Sequence, residues 1–531
     1  MSSENISDYE IGQDNIQTNV GPFGLDIHNP VFLISGLSIF AFVIGTLMVP
    51  EAATDLFKSM RSWVTVNFDW FFLSAGNIFV IFCLALVVSP LGKIRLGGSE
   101  AKPDYGYIGW FAMLFAAGMG IGLMFFGVSE PISHFSSSVA ETAGKPESWA
   151  PLAGAPGDPA AAVKLGMAAT IYHWGLHPWA MYAVVALALA FFTYNRGLPL
   201  SLRSAFYPLF GDAVWGWVGH VIDTVAVLAT IFGLATSLGF GASQANAGLN
   251  FLFGVADSDG TKIILIIGIT AIALFSVIRG LDGGVKKASE INMVLAFLLL
   301  VFVLIVGPTG DLVAGFFSGL GAYVSNLPAL SNPFGRADAN FSQGWTSFYW
   351  AWWISWSPFV GMFIARVSRG RTVREFVICV LLIPSLVCVL WMTVFGGTAL
   401  IQIVNDGYAG AKDAATELRL FAMLSELPLT QVTSGIGIIL VVVFFVTSSD
   451  SGSLVIDTIT AGGKTDGPMP QRVFWCVLEG LVAIALLLGG GLAALQAMAV
   501  TTGFPFAALL LLMCVGIWKG LQSERNKSVS S

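Results

Sequence analysis

Aromatic side chains are the densest group of chemically useful residues in this sequence. Four of the seven residues from 350 to 356 are tryptophans, namely Trp350, Trp352, Trp353 and Trp356. The faces of such rings attract a desolvated cation by about 2 kcal/mol or more, and aromatic cages bind quaternary ammonium groups. The pattern therefore predicts a cage for an onium group. The alternative is that these rings only pack helices against one another.

A second aromatic group surrounds a glycine and a proline between residues 172 and 182. It contains Trp174, Trp179 and Tyr182, together with His173 and His177. Two histidines four residues apart can hold a metal, but the sequence places no third ligand near them and no Glu between them. The group therefore favours a cage over a metal site, and no enzyme-like convergence of His and acidic residues is visible.

Hydroxyl and carboxyl groups provide a second kind of chemistry. Thr447 and Ser448 lie in an apolar run and offer the hard oxygen ligands that Na⁺ prefers; alternatively, they bond carbonyls of their own helix. Glu130, Asp450 and Glu479 also lie in apolar runs, where acidic residues are functional suspects. A proton relay through these acids remains an alternative to sodium.

The elements that must position these residues are membrane-spanning helices. Hydrophobic residues make up 56% of the 531 positions and charged residues 11%, against roughly 45–50% and 25% in soluble domains. The net charge of −7, without a basic tract, does not suggest nucleic acid. Twelve stretches have the roughly 20 apolar residues that a spanning helix needs, at 31–49, 69–89, 106–127, 164–194, 216–240, 262–279, 289–308, 345–366, 375–397, 434–456, 472–490 and 498–518.

This pattern predicts an all-α integral membrane protein with twelve transmembrane helices. Its expected parts are an N-terminal tail (1–30), two additional helices (31–105), helices three to seven (106–308), an interfacial segment too broken to span (309–344), helices eight to twelve (345–518) and a short C-terminal tail (519–531). If the N-terminus is cytoplasmic, seventeen of the 25 Lys and Arg residues fall on the cytoplasmic side. This bias predicts that both termini are cytoplasmic.

Two spans contain helix-breaking residues in their middle. The third holds Gly118, Gly120 and Gly122, and the eighth holds Pro358. Paired interruptions at corresponding places in two halves point to a transporter's binding site. Helices three to seven and eight to twelve form two sets of five, and an odd number reverses the entry side of the second set. The arithmetic predicts inverted repeats, although any twelve spans can be divided in this way.

Two stretches resemble motifs of the betaine/choline/carnitine transporter family. They are the run from Gly118 to Phe125 with the following Glu130-Pro131, and the run from Trp350 to Gly361 with its continuation from Ile364 to Thr372. The resemblance covers roughly residues 20–518. It implies a LeuT-like five-helix inverted repeat in helices three to twelve, a homotrimer in the inner membrane, and substrates with a quaternary ammonium or tertiary sulfonium group.

The resemblance also implies where the substrate lies. The family's aromatic box corresponds to Trp174, Trp179, Tyr182 and Trp353, with Trp352 and Trp356 beside it along the permeation path, and the unwound backbone at Ile121 and Gly122 facing the substrate. The unwound stretch lacks the acid that choline-selecting members place there. We therefore expect zwitterions to be preferred over choline, and Gly122→Asp to shift that preference toward choline.

The resemblance implies sodium as the coupling ion. One sodium site corresponds to the carbonyls of Ala116, Met119 and Phe444 and the hydroxyls of Thr447 and Ser448. A possible second site corresponds to Thr230 and Phe359, but Leu234 stands where a second hydroxyl is expected. Exchangers of the family carry an arginine on the seventh helix, and residues 289–293 contain none.

The sequence therefore predicts sodium-coupled import of a betaine-like zwitterion, without a cofactor other than the coupling ion. The alternatives are a proton-coupled choline or betaine symporter and a carnitine-type exchanger. An ion channel would show a pore-lining repeat of carbonyls or acids, which is not visible. Membrane lipid and a small onium compound are the expected partners.

Overall fold

The structure, a computed structural model, describes residues 7–21, 23–118, 120–279 and 285–530. Two antiparallel strands, β1 (Asn15–Val20) and β2 (Phe23–His28), form a hairpin. The helices that follow are α1 Val31–Met48, α2 Pro50–Val88, α3 Tyr107–Gly118, α4 Ile121–Val139, α5 Pro159–Trp174, α6 Leu176–Tyr194, α7 Tyr207–Phe210, α8 Trp217–Phe253, α9 Asp259–Arg279, α10 Val285–Val306, α11 Thr309–Leu330, α12 Ala339–Phe341, α13 Ser347–Val367, α14 Val373–Val404, α15 Gly410–Asp413, α16 Arg419–Ser425, α17 Thr430–Thr460, α18 Met469–Leu488 and α19 Gly491–Ser530.

The helices confirm the predicted all-α membrane class. Within the described residues, eleven spans are long and apolar enough to cross a membrane when α5 and α6 count as one, and twelve when α3 and α4 also count as one. The two central helices α5 and α6 are the most enclosed, because 94% of their apolar window is buried, against 28% for α9 and for α10. The aromatic residues of α5 and α6 therefore lie at the centre of the bundle.

The predicted interruption of the third span is confirmed. Helix α3 ends at Gly118 and α4 begins at Ile121, with a bend of 64° between them. Gly120 has extended backbone, with φ −172° and ψ −174°. Glycine costs a helix about 1 kcal/mol relative to alanine, so the glycine run ends α3 here.

The predicted interruption of the eighth span at Pro358 is wrong. Helix α13 continues through Pro358 to Val367. A proline removes the N–H that would bond the carbonyl four residues earlier, here that of Ile354. The hydroxyl of Ser357 donates to this carbonyl at 2.6 Å, so the freed acceptor is satisfied and the helix persists. A π-helical turn, Ser342–Thr346, instead precedes α13.

A break that the sequence did not predict divides the fourth span. Gly175 has φ −95° and ψ −129° and separates α5 from α6. A Cβ at this position would lie 2.7 Å from the carbonyl oxygen of Ile171. The close backbone approach requires glycine, and it places the C-terminus of α5 beside the first turn of α6.

Three peripheral segments differ from their predicted form. The segment 309–330 is a continuous helix, α11, rather than a broken one, and at a mean hydropathy of 1.2 it still qualifies as a span by length and composition. Its location at the interface stays a prediction. The C-terminal residues expected as a tail instead continue α19 as far as Ser530. Helix α2 begins at Pro50 rather than at 69, and Phe68 marks a kink inside it.

The N-terminal segment is also not a simple tail. Within the hairpin, Asn15 donates to the carbonyl of Ala461 at 2.9 Å, and Asp26 pairs with Lys464. The buried ring of His28 contacts His220 at the start of α8. Burial, with the nearby Arg203 guanidinium, lowers the pKa of His28 to about 3. The neutral hairpin contact therefore holds β1 and β2 against the α17–α18 connection and α8.

Candidate functional site

Four aromatic rings meet at the centre of the bundle with nearly perpendicular planes. Trp174 and Trp353 have ring centroids 4.9 Å apart at 85°, and Tyr182 and Trp353 lie 5.7 Å apart at 88°. Trp179 contacts Tyr182 at 5.3 Å and 80°. Rings arranged edge-to-face leave their π faces directed at a shared space, as a cage for a cation requires. The structure thus brings together the four residues that the sequence predicted as a box.

The elements explain why these rings converge. Trp174 is the last residue of α5, and the break at Gly175 places it opposite Trp179 and Tyr182, which lie in the first two turns of α6. Trp353 comes from the unbroken α13, and its indole N–H donates to the carbonyl of His173 at 2.9 Å. Trp174, Trp179 and Tyr182 are buried, whereas Trp353 remains half-exposed. The Tyr182 hydroxyl has no hydrogen-bond partner among the described residues and is available to a ligand.

Gly122 brings the broken third span to the same place. It lies in the first turn of α4, after Ile121, and both residues are helical rather than unwound. A Cβ on Gly122 would lie 2.8 Å from Cη2 of Trp174 and 3.0 Å from Cη2 of Trp352. The prediction that Gly122→Asp creates a choline site is therefore not supported, because the added side chain has no space without moving the rings.

The remaining two path residues occupy different positions. Trp352 stacks on Trp353 with centroids 5.3 Å apart and 23° between planes, and it donates to the hydroxyl of Ser237 at 3.2 Å. Trp356 contacts none of the four box rings within the described residues. Its indole N–H donates to the carbonyl of Gly233 at 3.0 Å, and its ring contacts Phe359. Trp352 thus adjoins the box, and Trp356 lies one helical turn further along α13.

The carboxyl group of Glu130 is the polar centre behind the box. The side chain is fully buried and contacts four hydrogen-bond donors. Oε1 lies 2.6 Å from His173 Nδ1 and 3.0 Å from His134 Nε2, while Oε2 lies 2.7 Å from Trp174 Nε1 and also accepts from the Tyr349 hydroxyl. An ionised carboxylate has about four acceptor positions, so this set fills them.

The protonation pattern of this cluster follows from its contacts. If both imidazoles donate to Glu130, then His173 Nε2 is free to accept from the Thr346 hydroxyl, 3.0 Å away. Both rings are then neutral. Among the described residues, no Lys or Arg forms an ion pair with Glu130. The cluster therefore holds one uncompensated negative charge next to Trp174.

The same three residues have the arrangement of a possible metal site. Ligand atoms of Glu130, His134 and His173 all lie within 4.8 Å of one another. The sequence analysis did not identify this set, because it compared His173 with His177. His177 instead stacks on Trp350 at 5.4 Å and contacts Asn77. Hydrogen bonds satisfy the three-residue cluster without a metal, and a metal would have to displace both imidazole protons.

Sequence reasoning missed His134, Tyr349 and Thr346. One local signal was present, because Glu130 and His134 are four residues apart and therefore share a helix face. No such signal linked Glu130 to Tyr349, which is 219 residues away along the chain.

The predicted sodium ligands are placed only in part. Thr447 Oγ1 donates to the carbonyls of Val443 and Phe444 at 3.1 and 3.0 Å, so the helix-bonding alternative describes its hydrogen. The oxygen lone pairs of a donating hydroxyl can still bind a cation. Ser448 and Ala116 are half-buried, and Met119 lies outside the described residues.

The possible second sodium site is packed more tightly. The hydroxyl of Thr230 donates to the carbonyl of Ala226 at 2.7 Å, and Phe359 packs on Trp356. Leu234 lies against Gly452, where an added Cβ would overlap its methyl groups. The apolar Leu234 therefore fills the space in which a second hydroxyl ligand was expected.

Comparison with known proteins gives consistent results. Residues 30–526 match the model of a family described as betaine/carnitine/choline family transporters. The chain is 65% identical over 528 residues to a glycine betaine/proline/choline transporter of Vibrio parahaemolyticus, covering 99% of this chain and 96% of that protein. It is 55% identical to glycine betaine transporter 1 of the same organism, covering 98% of both chains. It is 42% identical to a glycine betaine transporter of Bacillus subtilis, covering 92% of this chain and 93% of that one.

Proposed function

The chain belongs to the betaine/carnitine/choline family of transporters, and from this premise we propose that it imports a betaine-like zwitterion by secondary active transport. It is a multi-pass membrane transporter and not an enzyme. The proposed substrates carry a quaternary ammonium or tertiary sulfonium group together with a carboxylate.

The observation that carries this proposal is the perpendicular arrangement of Trp174, Trp353 and Tyr182 at the centre of the bundle. A methylated onium group has no N–H to donate, so ring faces are its natural partners. The buried Glu130 carboxylate behind Trp174 adds a negative charge that favours a cation in the box. The unpartnered Tyr182 hydroxyl can donate to the carboxylate of a zwitterion.

Sodium symport is the proposed coupling. Thr447 and Ser448 supply oxygen atoms on α17, and the carbonyl of Ala116 lies near the end of α3, one residue before α3 loses its helical bonds. Such hard oxygen ligands suit Na⁺. Residues 289–293 on α10 contain no arginine, which favours symport over the exchange that arginine-bearing members of the family are expected to perform.

The proposed setting is the inner membrane, with both termini cytoplasmic and the chain assembled as a homotrimer. The Lys and Arg bias supports this orientation. The hairpin of β1 and β2 then lies on the cytoplasmic side with the α17–α18 connection.

Uptake into proteoliposomes tests the function directly. We expect labelled glycine betaine to accumulate above its external concentration only under an inward sodium gradient, and to saturate. A proton gradient that drives uptake without sodium would favour the proton-coupled alternative. Uptake that needs only internal substrate would favour an exchanger, and non-saturating flux would favour a channel. Empty liposomes and sodium-free potassium buffer are the controls.

A further inference from the structure

An aromatic cavity lies against the box on one side. Its volume is about 480 Å³, and its walls include Phe126, Phe240, Trp345 and Phe348. Arg61 of α2 lines both this cavity and a smaller neighbouring one of about 270 Å³. Neither cavity contains an Asp or Glu in its lining.

Only one ring separates this cavity from the box. The rings of Phe126, Phe240 and Phe348 each contact Trp352, with centroid distances of 5.8, 5.6 and 5.6 Å. Trp352 in turn stacks on Trp353 of the box at 5.3 Å. A solute in the cavity is therefore one side-chain layer away from the box, and a rotation of Trp352 would connect the two spaces.

The guanidinium of Arg61 is incompletely used by the protein. It donates to Gln496 Oε1 at 3.0 Å and to the carbonyl of Gly344 at 3.2 Å. A guanidinium has five N–H donors. Among the described residues no Asp or Glu pairs with Arg61, although the side chain is half-buried. A partly buried cation without an anionic partner favours binding an anion.

Arg61 lies at the end of the bundle away from the hairpin. Helix α1 begins directly after β2 and crosses the bundle, and α2 begins two residues after α1 ends. Arg61 is in the first third of α2. In the orientation proposed above, this end faces the outside, so the cavity lies where an imported substrate arrives.

We propose that this cavity is an access site for zwitterions, in which Arg61 binds the substrate carboxylate while the surrounding rings hold the onium group. The inference rests on the proposed function and adds to it a specificity-determining residue outside the box. A carboxylate can accept two parallel N–H bonds from a guanidinium, which fixes its orientation. A substrate with net positive charge has no such partner and is repelled by Arg61, so the site favours zwitterions over choline.

Transport kinetics of two Arg61 variants test this inference. In Arg61→Gln, the KM for glycine betaine should rise by roughly tenfold, as expected for a lost charge-assisted hydrogen bond, while the maximal rate changes little. The inhibition constants of choline and of glycine betaine methyl ester, both net cations, should stay unchanged or fall. Arg61→Lys keeps the charge and should retain most of the preference for the zwitterion.

A matched variant controls for packing. Gln496→Leu removes the acceptor that Arg61 bonds but leaves the guanidinium charge in place, so the ratio of zwitterion to cation affinity should not change. Equal changes for glycine betaine and its methyl ester in Arg61→Gln, or no change for either, would overturn the inference. If the unmodified protein transports no onium zwitterion at all, the proposed function fails instead, and the two failures are thereby distinguished.

Discussion

The indole nitrogen of Trp174 donates a hydrogen bond to Oε2 of Glu130 across 2.7 Å, and both side chains are buried. This bond fixes the orientation of one wall of the aromatic box. It also places a carboxylate at the edge of that wall, on the side away from the box. A hydrogen bond from an indole N–H to an anion makes the ring more electron-rich, so Glu130 strengthens the attraction of Trp174 for a cation.

Replacing Glu130 by Gln should therefore weaken binding in a charge-dependent manner. Opposite unit charges about 10 Å apart attract by roughly 1.7 kcal/mol at an effective dielectric of 20, so the affinity for glycine betaine should fall by about tenfold. The uncharged isostere 3,3-dimethylbutanoate, in which carbon replaces the onium nitrogen, should lose much less. Tyr349→Phe removes one hydrogen bond but keeps the carboxylate, and it serves as the control. Equal losses for both ligands would assign Glu130 a purely structural role.

Removing one wall of the box should have a larger effect. Trp353→Leu keeps an apolar side chain but deletes the ring that contacts both Trp174 and Tyr182. Since a desolvated cation–π contact contributes about 2 kcal/mol, substrate affinity should fall at least tenfold at normal expression. Trp217→Leu changes a tryptophan that is 67% exposed at the start of α8 and should leave affinity intact. Unchanged affinity in Trp353→Leu would refute the cage.

Two glycines of the broken span provide a matched pair. Gly122→Ala places a Cβ within 3.0 Å of both Trp174 and Trp352, whereas Gly120→Ala meets no atom within 4 Å. Because the rings must move to accept the first substitution, Gly122→Ala should raise the KM for all onium substrates together. Gly120→Ala should change it far less. The measurement is uptake at a series of substrate concentrations, and equal effects of the two substitutions would contradict this account of Gly122.

The sodium assignment predicts a change in ion dependence. Thr447→Ala combined with Ser448→Ala removes two oxygen ligands and should raise the sodium concentration for half-maximal uptake. Thr433→Ala is the control, because this hydroxyl also bonds carbonyls of α17, those of Leu429 and Thr430, yet lies about four turns from Thr447. If Thr433→Ala shifts the sodium dependence as strongly, the effect reflects helix stability and not an ion site.

Local sequence properties determined the class of the protein and the identity of its box. Long apolar runs specify membrane helices, because each span must satisfy its backbone hydrogen bonds internally. The glycine run predicted the break before Ile121, because glycine acts on the helix that contains it. The density of tryptophan around Trp353 predicted the cage, because ring chemistry does not depend on neighbours distant in the chain.

Tertiary structure decided the features that depend on distant partners. Pro358 alone predicts a broken helix, but the hydroxyl of Ser357 restores the missing bond in this rotamer. The charge of Glu130 acquires a role only when Trp174 and Tyr349 donate to it. Arg61 bonds groups 283 and 435 residues away, and its free donors face a cavity formed by other helices. Such contacts carry no periodic signal in the sequence, because packing between helices, and not spacing along one of them, brings the groups together.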